Sequence, residues 1–218
     1  MIDRIITIEN MEKSGVVAVV RVDDNSKVSS IVKALCDGGV NAIEITMTIP
    51  GAIEIIEKIA SQHKNDVIVG AGTVLDPETA RMVISAGARF VVSPVLNIEV
   101  IQLAHRYDVA AIPGAYTPSE ILSAWENGAD IVKVFPATAL GPQYFKDIHG
   151  PLPQIKLTPT GGVSLENTTA FMKAGACCVG VGSALVSKEF VSNNDWTGLK
   201  NRARNYIDAV NEGRKIEK

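Results

Sequence analysis

Short apolar runs rich in β-branched residues alternate with longer segments of helical periodicity along the whole chain. Eight such runs occur, and each is predicted to form a β-strand. They are residues 16–21, 42–46, 67–71, 90–93, 110–113, 131–135, 156–160 and 178–182. Their starts lie about 23 residues apart, close to the shortest stretch that holds a strand, a helix and two loops. This spacing predicts parallel strands joined by crossover helices, with no inserted domain.

Four of the predicted helices end on a glycine just before a strand, where glycine supplies the left-handed C-cap. Eight strand–helix units predict an α/β fold, a single (β/α)8 TIM barrel over residues 1–218. We expect an extra N-terminal helix over residues 2–13 to cover the barrel bottom, and a closing helix over residues 196–212. The alternative is an open doubly wound sheet. Its dinucleotide fingerprint is missing, because Leu75 stands where the third glycine belongs.

Composition and charge narrow the choice of partners. The chain is 46% hydrophobic and 21% charged with a net charge of −3, and it has no Lys/Arg cluster, so nucleic acid is not expected as a partner. No apolar run approaches the roughly 18 residues of a membrane span, and the N-terminus is too charged for a signal peptide. We therefore expect a cytoplasmic protein without a membrane partner. Neither the three histidines nor the three cysteines have metal-ligand spacing, so no metal is expected.

Glu44 is the first candidate for catalysis. The active site of such a barrel lies at the carboxyl ends of its strands. Strand alternation places Ile43 and Ile45 on the helix side of the second run and Glu44 on the inner side. Burial raises the pKa of a carboxyl group towards values useful for proton transfer. The alternative interpretation is a buried structural ion pair.

Lys133 interrupts the sixth apolar run, with two strand residues after it before Pro136. Burial favours the neutral amine, which is the form that attacks a carbonyl group to make a Schiff base. Two alternatives stay open from the residues alone. The side chain could reach solvent at a strand edge, or it could form a structural ion pair, for example with Glu44.

Glycines follow the last two runs, at the place where barrels usually bind phosphate. Gly161 and Gly162 follow Thr160, and the eighth run ends in Gly180-Val181-Gly182-Ser183. Each motif alone could be an ordinary turn. At the end of the first run, the planar guanidinium of Arg21 suits a carboxylate or a phosphate, although a surface arginine is the alternative. Thr73 and Ser93 could likewise be plain turn or cap residues.

Taken together, motifs at these strand ends resemble those of the KHG/KDPG aldolases. This family comprises class I, pyruvate-forming 2-keto-3-deoxy-6-phosphogluconate (KDPG) and 4-hydroxy-2-oxoglutarate (KHG) aldolases. The motifs are Glu44-Ile45-Thr46, Gly70-Ala71-Gly72-Thr73-Val74-Leu75, Ser93-Pro94, Ile112-Pro113-Gly114, Lys133-Val134-Phe135-Pro136-Ala137, Pro159-Thr160-Gly161-Gly162-Val163 and Gly180-Val181-Gly182-Ser183.

The resemblance implies that Lys133 forms the Schiff base and that Glu44 is the general acid and base, with no cofactor or metal. It implies a homotrimer that acts on a phosphorylated keto-deoxy sugar acid. Residues implied to bind substrate fall into three groups. Arg21 binds the carboxylate; Thr73, Pro94 and Thr160 line the pyruvate part; Gly161, Gly162 and Ser183 bind the phosphate, with Phe135 and Gly182 of the same motifs beside them.

The chain departs from the family pattern at two positions. Thr48 stands where many members carry an arginine, and Val95 replaces the glycine of Ser-Pro-Gly. Alternatives for the function are therefore a 2-keto-3-deoxy-6-phosphogalactonate aldolase, another phosphosugar barrel enzyme such as an epimerase or isomerase, and a phosphosugar-binding protein without activity.

Overall fold

The computed structural model describes residues 3–63 and 66–215. The described part contains nine strands: β1 Val16–Val20, β2 Ala42–Thr46, β3 Ile68–Gly72, β4 Phe90–Val92, β5 Ala110–Ile112, β6 Gly114–Ala115, β7 Val132–Val134, β8 Leu157–Pro159 and β9 Val179–Val181. Its α-helices are α1 Arg4–Ser14, α2 Val28–Asp37, α3 Ala52–Gln62, α4 Pro77–Ser85, α5 Ile98–Arg106, α6 Pro118–Glu126, α7 Gly141–His149, α8 Leu165–Lys173, α9 Lys188–Ser192 and α10 Trp196–Gly213. A 3-10 helix spans Asn25–Lys27. Residue 2 of the predicted N-terminal helix lies outside the described residues.

All strand pairs are parallel. One sheet has the order β5-β4-β3-β2-β1-β9, and a second has the order β6-β7-β8. An isolated parallel bridge between Thr160 and Gly180 connects the ends of β8 and β9. The predicted α/β class with parallel strands and crossover helices is therefore confirmed.

The fifth predicted strand, residues 110–113, ends one residue early in the structure, at Ile112, and a further strand that was not predicted, β6, begins directly after Pro113. Proline has no N–H group to donate to a ladder. Its carbonyl still accepts a 2.9 Å hydrogen bond from the Lys133 N–H, so the chain passes from the first sheet to the second at this residue.

Side-chain caps fix the starts of several helices. Asp76 accepts a 2.6 Å hydrogen bond from the backbone N–H of Thr79, and Pro77 opens α4. Thr117 and Glu120 form a capping box at α6. The predicted left-handed glycines at helix ends are confirmed, with φ of 97° at Gly39, 102° at Gly87, 95° at Gly128 and 99° at Gly175.

The strands divide the apolar core into two layers. The outer cluster packs between strands and helices and includes Ile43 and Ile45. The inner cluster contains the alternate strand residues and is completed by Ile8 and Met11 of α1. Its other members are Val17, Ala42, Ile68, Phe90, Val92, Ala110 and Ile112 of the strands β1 to β5, and Ile131 and Cys178, which directly precede β7 and β9. Most of these are the first inward residues of their strands, so Ile8 and Met11 of α1 pack near the amino ends of the strands.

None of the helices in the described ranges is long and apolar enough to cross a membrane.

Candidate active site

Glu44 and Lys133 lie on β2 and β7 and are almost fully buried, with exposed fractions of 4% and 6%. Both line one small interior cavity, together with Met11, Val17, Val92, Ile112, Thr158, Thr160, Cys178 and Gly180. The cavity has room for roughly one water molecule. Strand alternation therefore brings the two predicted catalytic residues onto the same inner surface.

The two charges act on each other without forming a contact ion pair. Among the described residues, no ion pair of 4.0 Å or less involves either side chain. Burial raises the pKa of Glu44, and the charges of Lys133 and Arg21 oppose that rise. The Lys133 Nζ lies 5.0 Å from the centre of the Phe135 ring. A buried carboxyl group with a raised pKa that lines the same cavity as an amine is suited to moving protons.

Gly72 makes the space that the Glu44 carboxylate occupies. A Cβ atom at Gly72 would lie 1.8 Å from Oε1 of Glu44 and 2.5 Å from its Cδ, so no larger residue fits while Glu44 keeps its position. Sequence reasoning did not assign Gly72 a role in the site. The signal that could have found it is an inward-facing glycine, in register with Thr46, on the strand beside Glu44.

Thr73 follows β3 in a rare backbone conformation. Its φ is +60°, a left-handed value that is a genuine outlier for a β-branched residue. Such strain is found where the surrounding structure imposes it, commonly at functional sites. Pro94 lies just past the end of β4 against β6, since a Cβ at Gly114 would come 2.2 Å from the Pro94 carbonyl oxygen. Neither Thr73 nor Pro94 lines the interior cavity.

A larger cavity of about 680 Å³ adjoins the interior one, and Thr160 and Gly180 line both. It gathers seven of the predicted substrate-binding residues: Arg21, Phe135, Thr160, Gly161, Gly162, Gly182 and Ser183. The glycine-lined cavity therefore shares part of its wall with the cavity that Glu44 and Lys133 line.

The glycines of this cavity leave the backbone open to a ligand. Gly161 and Gly162 have φ of 85° and 75°, values that side chains rarely adopt. A Cβ at Gly162 would also lie 2.8 Å from the Cα of Thr138, whereas one at Gly182 would meet nothing within 4 Å. Backbone N–H groups can thus approach an anion here.

A family model described as "Aldolase: KDPG and KHG aldolase" matches residues 7–201. The chain belongs to the KDPG and KHG aldolase family. A 2-dehydro-3-deoxy-phosphogluconate aldolase from Pseudomonas aeruginosa is 34% identical over 205 residues, covering 93% of this chain and 92% of the relative. A 2-dehydro-3-deoxy-6-phosphogalactonate aldolase from Escherichia coli is also 34% identical, covering 79% of this chain and 85% of the relative.

Solved structures of this aldolase family agree with the fold. The crystal structure of a KDPG aldolase from Legionella pneumophila has a TM-score of 0.84 at 30% identity and covers 91% of this chain and 96% of its own. That structure holds pyruvate captured as a covalent carbinolamine intermediate.

The two departures from the aldolase pattern lie at the edge of the site. Thr48 is exposed, and its hydroxyl pairs with that of Thr46 at 2.8 Å. Val95 is 52% exposed. In the described part of the chain, no group of three or more His, Cys, Asp or Glu side chains is placed to hold a metal ion.

Proposed function

We propose that the protein is a class I aldolase that cleaves KDPG to pyruvate and glyceraldehyde 3-phosphate, and that it also cleaves 4-hydroxy-2-oxoglutarate to pyruvate and glyoxylate. One observation carries the proposal: a buried lysine and a buried carboxyl group line one small cavity, and two residues of its wall, Thr160 and Gly180, also line a glycine-lined cavity of about 680 Å³. This combination provides both the nucleophile and the proton carrier that Schiff-base cleavage needs.

The reaction begins when the neutral amine of Lys133 attacks the C2 ketone of the substrate. Glu44 gives a proton to the carbinolamine hydroxyl, water leaves, and an iminium forms between Lys133 and C2. The iminium withdraws electrons from the C3–C4 bond. Both groups lie on the inner surface of the same cavity, so the proton transfers need no movement of the backbone.

Cleavage follows when Glu44, directly or through one water molecule, takes the proton of the C4 hydroxyl group. The C3–C4 bond breaks, its electrons form the enamine of pyruvate on Lys133, and the aldehyde leaves. Glu44 then returns a proton to C3, and hydrolysis releases pyruvate and the free amine. Its raised pKa suits this alternation between acid and base.

The substrate lies along the two adjoining cavities in this proposal. Its carboxylate pairs with Arg21, and Thr160 packs beside the pyruvate carbons together with Thr73 and Pro94. The phosphate lies against the backbone of Gly161, Gly162, Gly182 and Ser183, and Phe135 covers the chain between the two ends. The shared lining by Thr160 and Gly180 supports the part of this placement between Arg21 and the glycines, whereas Thr73 and Pro94 line neither cavity and are assigned from the family resemblance alone.

The galactonate epimer of KDPG is the second candidate substrate. The Escherichia coli relative named for phosphogalactonate is as identical to this chain as the Pseudomonas relative named for phosphogluconate. A structure described as native KDPGal has a TM-score of 0.86 at 30% identity. KDPG and its galactonate epimer differ in the configuration of one hydroxyl group. Initial cleavage rates measured with each acid therefore show which of the two the enzyme prefers.

The finer architecture is also part of the proposal. The two sheets close into one eight-stranded TIM barrel, in which β5 and β6 are two halves of one strand interrupted at Pro113. The bridge between Thr160 and Gly180 and the hydrogen bond from Lys133 to Pro113 support this closure. Helix α1 plugs the amino ends of the strands, as its contacts within the inner cluster suggest.

A homotrimer and a cytoplasmic location stay predictions. Large apolar side chains are exposed around α4, α5 and the neighbouring loops, where a second copy could cover them. They are Leu75, Met82, Val95 and Ile98, with exposed fractions of 39% to 54%. Sedimentation equilibrium of the wild-type protein measures the assembly directly, and a monomer would rule out the trimer.

The proposed function is tested by incubating the protein with pyruvate and reducing with sodium borohydride. Peptide mass spectrometry should locate a stable adduct on the peptide containing Lys133, absent from Lys133→Met. Lys156→Met is the matched control, because that lysine is half-exposed and pairs with Glu12 at 2.7 Å on the surface. No adduct under conditions that trap a known aldolase would refute the Schiff base and favour another phosphosugar enzyme or a binding protein.

A further inference from the structure

The glycine-lined cavity has two cations on its wall, Arg21 and Lys188, and no carboxylate among the described residues that line it. Backbone N–H groups carry only partial charges, whereas a phosphate monoester carries about −1.5 to −2 near pH 7. Glycine loops alone therefore leave most of the phosphate charge without a full counter-charge. The two cations are the side chains on the wall that can supply it.

Arg21 and Lys188 differ in their distance from the reacting groups. Arg21 directly follows β1, in which Val19 is in register with Glu44, and its charge lowers the pKa of that carboxyl, whereas Lys188 opens α9 after the turn at Gly182. Arg21 therefore belongs to the end of the site where Lys133 attacks. Lys188 belongs to the distal end, where the phosphate of an elongated substrate lies.

The segment that leads to Lys188 is hydrogen-bonded to Gly182, one of the residues proposed to bind the phosphate. The carbonyl of Gly182 accepts 2.9 Å hydrogen bonds from the N–H groups of Leu185 and Val186. Arg202 donates to the Ala184 carbonyl at 2.9 Å. These hydrogen bonds at Gly182 and Ala184 hold the turn that leads to Lys188.

Helix α9, which begins at Lys188, also contacts the side chains of Lys27 and Arg202. Lys27 donates a 2.8 Å hydrogen bond to the Val191 carbonyl, and the Arg202 guanidinium lies 5.2 Å from the centre of the Phe190 ring. The Lys188 ammonium itself makes no hydrogen bond or ion pair with any described residue. Binding a phosphate would therefore break no existing contact.

Two carboxylates, those of Asp23 and Asp24, lie near Lys188 but line a different cavity. Asp23 and Asp24 line a cavity of about 260 Å³ that shares Arg21, Val186 and Lys188 with the glycine-lined one. Asp24 is occupied by hydrogen bonds from the N–H and hydroxyl of Ser26, at 3.0 and 2.6 Å. Lys188 thus stands at the junction of the two cavities, with its ammonium free to turn towards an anion at the glycine loops.

We infer that Lys188 binds the phosphate group of the substrate and sets the preference of the enzyme for phosphorylated over unphosphorylated acids. The identity of the substrate rests on the proposed function, but the contact is with the phosphate alone. Lys188 is a specificity-determining residue, distinct in role from Lys133 and Arg21.

Phosphate binding is measured first, without turnover. Isothermal titration calorimetry with inorganic phosphate should give a Kd about tenfold higher for Lys188→Gln than for wild type, the size expected for one partly exposed charge-assisted hydrogen bond. Lys188→Arg should keep most of the affinity. Lys200→Gln is the matched control, because Lys200 is an exposed lysine of α10 whose carbonyl lies near Gly38. Equal Kd values for wild type and Lys188→Gln would overturn the inference.

Turnover then tests the specificity. The ratio of kcat/KM for KDPG to that for 2-keto-3-deoxygluconate, the same acid without phosphate, should fall about tenfold in Lys188→Gln through a higher KM for KDPG. An equal loss with both substrates would overturn the inference while the aldolase function stands. A wild-type protein that binds phosphate through Lys188 and cleaves neither acid would leave the phosphate contact supported and refute the proposed function.

Discussion

Gly72→Ala tests whether the position of the Glu44 carboxylate determines the rate. The added Cβ would lie 1.8 Å from Oε1, so the carboxylate has to withdraw by roughly 1.2 to 1.6 Å to reach the tightest ordinary contacts of 3.0–3.4 Å. A displacement of about 1 Å in a catalytic group can cost about 100-fold in rate. We therefore expect kcat to fall by about 100-fold or more.

The fold should survive this substitution. The atoms that the new methyl group meets are Oε1, Cδ and Cγ of Glu44, the outer part of a flexible side chain. The expected loss of unfolding free energy is therefore of the order of overpacking, about 1–3 kcal/mol. Urea unfolding measures that loss, and initial rates of pyruvate release from KDPG measure kcat.

Two comparisons make the result decisive. Gly150→Ala adds the same methyl group where the nearest atoms are 3.5 Å away and φ is negative, so its kcat should equal that of wild type. If Gly72 acts through Glu44, the double variant Gly72→Ala/Glu44→Gln should be no slower than Glu44→Gln alone. A folded Gly72→Ala protein with wild-type kcat would refute the reasoning, and so would losses that multiply in the double variant.

Three further predictions concern Glu44 and Arg21. Glu44→Gln should lower kcat by roughly 10²–10⁴-fold, measured with KDPG at saturation; an unchanged kcat excludes the acid–base role. Burial raises the pKa of the Glu44 carboxyl in the folded protein above its ordinary value of 4.5. At pH values between these two pKa values the folded state binds more protons than the unfolded state, so the free energy of unfolding falls as the pH rises. Glu44→Gln removes this titrating group, so urea unfolding should show that its free energy of unfolding rises relative to that of wild type as the pH increases above 4.5. A difference between the two proteins that does not change with pH would contradict this prediction. Arg21→Gln should raise KM about tenfold for KDPG and for its unphosphorylated analogue alike, while a loss confined to KDPG would place Arg21 at the phosphate.

Strand alternation was sufficient to predict that Glu44 faces inward, because its neighbours Ile43 and Ile45 are apolar, and those neighbours do pack in the outer cluster. The residues alone left the orientation of Lys133 open; the structure buries it, while Val132 and Val134 pack in the outer cluster. Strand β6 was not predicted, because the predicted run ends at Pro113 and the two residues of β6 are too few for periodicity to register. The strain at Thr73 was also out of reach, since threonine is an uncommon choice for a left-handed residue.

Lys188 was missed for a different reason. It follows the last predicted strand by six residues, and an exposed lysine at the start of a short helix looks like any solvated charge. Its role appears only when the hydrogen bonds from Leu185 and Val186 to Gly182 fold this segment back over the glycine-lined cavity. Contacts of this kind depend on tertiary turns, which residue patterns along the chain do not encode.

Inward-facing glycines make room for polar side chains in one layer of the interior, whereas the layer near the amino ends of the strands is apolar. At the amino ends, the inner positions are filled by Val17, Ile68 and Phe90 beneath α1, and a Cβ at Gly70 would collide with the Phe90 ring at 2.5 Å. One layer higher, Gly72 and Gly180 leave space that Glu44 and Thr160 occupy, with would-be Cβ contacts of 1.8 and 2.4 Å. Because an inner glycine contributes no side chain, its neighbour's polar group takes that volume and stays beside the cavity.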